Sequence, residues 1–155
     1  MLQPVKKTKA GKTSSTFAIV ASRYNARYVD GMLNAAAAEL KRTGAKVQII
    51  RVPGAYEIPV VAAKLASQLR ATRPAAIICL GVILRGETTH AQHIGEAVSQ
   101  ALMQIQLQHG VPVIHEVLLL ENEKQASERC LNPKHNRGVE AAQTALEMAR
   151  VMATL

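Results

Sequence analysis

Aromatic side chains are scarce: the 155 residues include no Trp, one Phe and three Tyr. That argues against a general nucleic-acid binder, because such surfaces interleave basic patches with stacking rings. Cysteine is scarce too. Cys79 and Cys130 have neither CxxC spacing nor the density of a disulfide scaffold, so reduced thiols are expected. Long hydrophobic runs are missing. The longest, Ala75 to Leu84, contains Gly81 and falls far short of the ~20 residues that span a bilayer. Phe17 to Ala21 is too brief for a secretory hydrophobic region, so a cytoplasmic protein with no membrane partner is expected. Acid is the last deficit. Eleven Asp+Glu against nineteen Lys+Arg leave a formal charge of +8. Half of that excess comes from Lys6, Lys7, Lys9 and Lys12, within an acid-free stretch of residues 1–16 that reads as a basic, flexible tail. With 48% hydrophobic and 19% charged residues the composition is globular. The length suits one domain, assigned to residues 17–155.

Hydrophobic spacing divides that domain into alternating elements. Phe17 to Ala21 is β-prone, and Tyr28, Val29, Met32, Leu33, Ala36 and Leu40 then recur at helical spacing up to Gly44. Lys46 to Val52 reads as a second strand, broken at Pro53-Gly54. Ile58, Val61, Ala62, Leu65 and Leu69 mark the next helix face, with Pro59 in its first turn. Ala75 to Leu84 is a nearly continuous apolar strand. Ile94, Ala97, Val98, Ala101, Leu102 and Ile105 form a third helical stripe ending near His109-Gly110. Pro112 to Leu120 is a fourth strand. A short helical piece spans Glu123 to Arg129, and a last helix runs from Val139 to about Met152. Alternation with short connections predicts an α/β fold, because each right-handed crossover lays its helix over one face of a parallel sheet. The expected form is a three-layer αβα sandwich of flavodoxin-like type, with about four strands and room for an N-terminal edge strand. Ligands of such folds sit beyond the carboxyl ends of the strands.

Three strand-end loops carry more chemistry than connectors need. Ser22-Arg23-Tyr24-Asn25 and Pro53-Gly54-Ala55-Tyr56-Glu57 place two tyrosines where they either stack a planar ligand or cap the rim of the sandwich. In Arg85-Gly86-Glu87-Thr88-Thr89-His90, Gly86 admits close backbone approach and a threonine can cap the following helix. A helix N-terminus attracts anions, so this loop suits phosphate, or is an ordinary helix cap. The same positive end disfavours a cation, which leaves His90 suited to accept a proton as a general base, or a bystander. His93, three residues on, suggests a metal pair, but a zinc site needs further ligands that are not evident. The charge run Glu121 to Arg129 reads as a solvated helix. Asn136-Arg137-Gly138 reads as a cap, with Arg137 available to an anion or a carbonyl.

Taken in order, these segments resemble the lumazine synthase family. The carriers are Ser22 to Asn25, Val52-Pro-Gly-Ala-Tyr-Glu-Ile-Pro59, Leu84-Arg-Gly-Glu-Thr-Thr-His90, Gly110-Val-Pro-Val113, Glu123-Lys-Gln-Ala-Ser-Glu-Arg129 and Asn136-Arg-Gly-Val-Glu-Ala-Ala142. The resemblance implies a transferase that condenses 5-amino-6-(D-ribitylamino)uracil with 3,4-dihydroxy-2-butanone 4-phosphate, the penultimate step of riboflavin biosynthesis. It implies no cofactor and no metal. It assigns Tyr24 to stacking on the pyrimidine, Ala55, Tyr56 and Glu57 to the ribityl chain, and Val82, Ile83 and Leu84 to the wall against the heterocycle. Glu87 and Thr88 meet the butanone phosphate, Arg129 takes its phosphate and His90 transfers protons. It further implies a homopentamer, in some members twelve pentamers closed into an icosahedral shell, with His115, Arg129 and Arg137 entering each site from the adjacent chain.

The chain departs from the family pattern twice. His115-Glu116 stands where many members have Phe-Gly, which makes that wall more polar. Arg137 replaces a common Lys, keeping the charge but changing the hydrogen-bond geometry. Without the resemblance, the same loop and base would also serve an isomerase of sugar phosphates; a non-catalytic alternative is a flavin- or lumazine-carrying cage protein that retains the pocket without turnover.

Overall fold

A computed structural model describes residues 2–6, 9 and 11–155. The elements run β1 (Thr16–Ser22), α1 (Ala26–Arg42), β2 (Lys46–Val52), one 3₁₀ turn (Ala55–Glu57), α2 (Ile58–Ala66), β3 (Ile77–Leu84), α3 (His90–His109), β4 (Val113–Leu120), α4 (Glu123–Cys130) and α5 (Arg137–Ala153). The four strands form one parallel sheet in the order β2-β1-β3-β4. Among the described residues no strand precedes β1. The predicted sandwich is therefore the observed fold, with α1, α4 and α5 against one face and α2 and α3 against the other.

The central strands β1 and β3 are buried on both faces, which is why they read as continuous apolar runs rather than as alternation. Side chains still alternate between layers. Phe17, Ile19, Ile78 and Leu80 pack with Met32, Leu40 and Leu146, whereas Ala18, Val20, Ile77 and Cys79 pack with Ile58, Val98 and Leu102. The same period sends His115 and Val117 of edge strand β4 toward α3, and Glu116 toward α5.

Helix α5 crosses α1 at backbone contact. A Cβ on Gly138 would lie 2.0 Å from the Met32 carbonyl oxygen, and, where the end of α4 meets α1, one on Gly31 would lie 2.6 Å from the Cys130 carbonyl oxygen. Asn136 fastens this crossing. Its Oδ1 accepts from the Gly138 amide at 2.8 Å, capping α5, and its Nδ2 donates to the Cys130 carbonyl at 2.7 Å.

Two details differ from the sequence expectation. Helix α2 stops at Ala66, and Leu69 is 82% exposed in the turn that leads back toward β3. Ala97 is exposed rather than inward, on the flank of α3 that borders a cleft. In the basic segment, the Val5 amide donates to the Lys134 carbonyl at 2.8 Å, and Gln143 Nε2 donates to the Lys6 carbonyl at 3.0 Å. Lys7 lies outside the described residues.

Candidate active site

Beyond the carboxyl ends of β1, β2 and β3 lies a cleft of about 790 Å³, within the range of small-molecule sites. It is lined by all three loops singled out above. Tyr24 and Asn25 come from the first, Ala55, Tyr56 and Glu57 from the second, and the strand end Val82, Ile83 and Leu84 with His90 from the third. Eight of the predicted site residues thus share one cavity.

Local chemistry explains this convergence. Asn25 adopts the left-handed conformation (φ 57°) that Asn tolerates better than most residues. The turn lets its Nδ2 donate to the Val82 carbonyl at 2.7 Å, tying the β1 loop to the end of β3. Gly54 supplies a flat seat for Tyr24: a Cβ there would sit 2.8 Å from the Tyr24 ring. Glu57 Oε2 accepts from the Gly54 amide at 2.9 Å, which braces the second loop. Tyr24 and Tyr56 remain 68% and 63% exposed, so each ring keeps a surface open for stacking.

The third loop offers an anion cradle. Among the described residues no acceptor engages the amides of Gly86, Glu87 or Thr88, and α3 opens at His90 immediately after them. Unpaired amides at the positive end of a 20-residue helix suit phosphate. Capping is weak. Thr89 makes no side-chain cap bond, and Thr88 Oγ1 accepts from the His90 amide only at 3.4 Å. Glu87 and Thr88 are exposed on the lip of the cleft rather than in its lining.

Three predicted residues lie apart from the cleft of their own chain. His115, on β4, bonds Ser99 Oγ at 2.7 Å through Nε2, and its Nδ1 faces the Val117 amide at 3.3 Å. Ser99 donates its one hydroxyl proton to the Gly95 carbonyl at 2.8 Å. The ring must therefore donate from Nε2 and accept at Nδ1, the neutral form, and burial pulls its pKa down in the same direction. The side chain of Arg129, on α4, makes no hydrogen bond or ion pair among the described residues. Arg137, at the start of α5, is held by two carboxylates, those of Glu116 and Glu140. The charge run before it is less self-contained than its spacing suggests, since Glu121 pairs with Arg85 at 2.9 Å and Glu128 with His135.

Sequence reasoning left Asn25, Gly54, His93, Ile94 and Ala97 off the site, although all five line the cleft. His93 and Ala97 had a readable signal, because positions three and seven after His90 fall on its face of α3. The tie from Asn25 to Val82 spans 57 residues and had none. Neither thiol offers a nucleophile. Burial pushes the pKa of Cys79 far up and that of Cys130 up to about 12. Among the described residues no group of three His, Cys, Asp or Glu side chains could hold a metal ion, and no helix is long and apolar enough to cross a membrane.

Residues 14–153 match the 6,7-dimethyl-8-ribityllumazine synthase family. The chain belongs to the lumazine synthase family. A relative bearing that name from Stenotrophomonas maltophilia (strain R551-3) is 42% identical over 145 residues, 92% of each chain. Another, from Xanthomonas campestris pv. campestris (strain B100), is 39% identical over 146 residues, 92% of this chain and 93% of its own. A diflavin flavoprotein A3 from Nostoc sp. overlays on 92% of this chain and 96% of its own, at TM-score 0.41 and 7% identity, too slight a likeness to add to this. The match to the lumazine synthases covers β1 through α5. It therefore includes the cleft and also the α4–α5 region that stands apart from it.

Proposed function

We propose that this chain is the cytoplasmic transferase that condenses 5-amino-6-(D-ribitylamino)uracil with 3,4-dihydroxy-2-butanone 4-phosphate to 6,7-dimethyl-8-ribityllumazine, releasing phosphate and water. The observation that carries this reading is the meeting of Tyr24, Tyr56 and His90 in one cleft, in a chain of this family. The exposed Tyr24 ring stacks on the pyrimidine, and Val82, Ile83 and Leu84 close the apolar side. Ala55, Tyr56 and Glu57 hold the ribityl chain. The free amides of the β3–α3 loop, with Glu87, Thr88 and Arg129, take the phosphate of the second substrate.

The reaction then needs proton transfers more than nucleophiles of the protein's own. The amine of one substrate attacks the ketone of the other and water leaves as the Schiff base forms. His90 removes a carbon-bound proton as phosphate departs. Tautomerisation and attack of the ribityl-bearing nitrogen close the ring with loss of a second water. A positioned base contributes about 10²–10⁴-fold, and holding two substrates together contributes more. His90→Ala is therefore expected to slow turnover by roughly that factor without abolishing it, and Arg129→Ala to raise the KM for the butanone phosphate.

His115, Arg129 and Arg137 lie outside their own chain's cleft, which supports a site completed by a neighbouring subunit in a homopentamer, free or as part of a larger shell. The test mixes purified protein with both substrates, following lumazine by absorbance and phosphate in parallel. Equal appearance of both is the expected result. Phosphate without lumazine, or isomerised butanone phosphate alone, would reject the proposal.

A further inference from the structure

We propose that Glu116 is a positioning residue for this reaction: it neutralises and aims Arg137, so that this arginine serves an uncharged carbonyl of the pyrimidine and leaves the phosphate to Arg129. The inference rests on the reading that Arg137 reaches a neighbouring subunit's cleft. Glu116 is only 4% exposed, and a carboxylate buried so deeply is costly unless it is paired. Its partner is Arg137, which donates from Nε to Oε2 at 3.0 Å and from Nη2 to Oε1 at 2.8 Å. This is the bidentate geometry that a planar guanidinium alone can offer. Nη1 donates to Glu140 Oε2 at 2.6 Å. Three of the five guanidinium N–H donors are thus engaged, leaving one on Nη1 and one on Nη2.

The two carboxylates do different jobs. Glu140 is on the same helix as Arg137, one turn away, and moves with it. Glu116 is on β4, in register with Leu80 of the central strand β3, so it alone anchors the guanidinium to the sheet. Two carboxylates around one cation leave a net charge of −1, which repels a phosphate but not a neutral carbonyl. The Arg129 guanidinium presents the opposite case, with no hydrogen bond or ion pair among the described residues. Two of the three positions where the chain departs from the family pattern, 116 and 137, therefore touch and act as one device. A glycine at 116 could not grip, and a lysine at 137 could not be gripped at two points.

The test is steady-state kinetics on the full chain, varying each substrate in turn, with inorganic phosphate as an inhibitor. Glu116→Gln is expected to raise the KM for the ribitylaminouracil by on the order of ten- to a hundredfold, leaving that for the butanone phosphate unchanged. In the wild type, inorganic phosphate should compete with the butanone phosphate and not with the ribitylaminouracil. If Glu116→Gln does not fold, Arg137→Lys carries the same expectation for the two KM values, because it keeps the charge and loses the two-point grip. A silent or substrate-indifferent Glu116→Gln, beside an Arg137→Ala that raises the ribitylaminouracil KM, would overturn the positioning role alone. An Arg137→Ala that changes neither KM would overturn this proposal together with the placement of Arg137 in the shared site.

Discussion

Replacing Gly138 by alanine tests how the fold delivers Arg137. The added Cβ would meet the Met32 carbonyl oxygen at 2.0 Å, its carbon at 2.6 Å and its Cα at 2.7 Å, all backbone atoms that cannot rotate away. Reaching ordinary contact, near 3.4 Å, requires α5 to lift from α1 by on the order of 1 Å. Overpacking of this kind costs about 1–3 kcal/mol, and a backbone obstacle argues for the upper part of that range. Alanine's helix preference returns at most about 1 kcal/mol. The net loss of about 2 kcal/mol corresponds to a fall in Tm of about 4–8 °C for a chain of this length. Because Arg137 is the preceding residue, the KM for the ribitylaminouracil should rise as well. Thermal unfolding at fixed protein concentration, with kinetics on the same samples, reads both effects. Gly95→Ala is the control, since a Cβ there meets only the Leu119 side chain at 3.8 Å and should leave Tm unchanged or raised. A Gly138→Ala protein as stable as wild type, with unaltered kinetics, would refute the reasoning.

Three further outcomes are expected. Gly86→Ala meets nothing within 4 Å and should leave Tm unchanged while raising the KM for the butanone phosphate, because the methyl group crowds the free amides. Asn25→Ala removes the bond to Val82 and forces alanine into a left-handed conformation, costing about 1–2 kcal/mol by chemical denaturation; an unchanged midpoint would contradict this. The pKa of His115 is lowered on folding, so the unfolded chain binds its proton more readily. Its neutral ring supports the fold fully above the ordinary value of 6.5, and that support is lost as pH falls through the folded-state value. His115→Gln should flatten this part of the pH–stability curve.

Much of the fold was legible because each element announced itself locally. The unbroken apolar run in β3 signalled a strand buried on both faces, and the loops ending in Tyr24, Tyr56 and His90 stood where a doubly covered parallel sheet opens. Leu69 misled because helical spacing continues past Ala66, whereas the chain must turn there to reach β3. Ala97 misled because alanine is equally at home in a core and at the edge of a cleft. The unreadable features depend on residues far apart in sequence. Nothing local shows that Glu116 pairs with Arg137 twenty-one positions later, or that Gly138 lies against Met32.

The measurement that bears most directly on a cleft completed from a neighbouring subunit is complementation between two crippled chains. His90→Ala and Arg129→Ala subunits, co-expressed in equal amounts, form rings in which some clefts pair an intact His90 with an intact Arg129 from the next chain. Assayed at butanone phosphate well below the KM of Arg129→Ala, such rings should recover about a quarter of wild-type activity. Activity no greater than the average of the two parents would show that each cleft works alone, and would contradict the account.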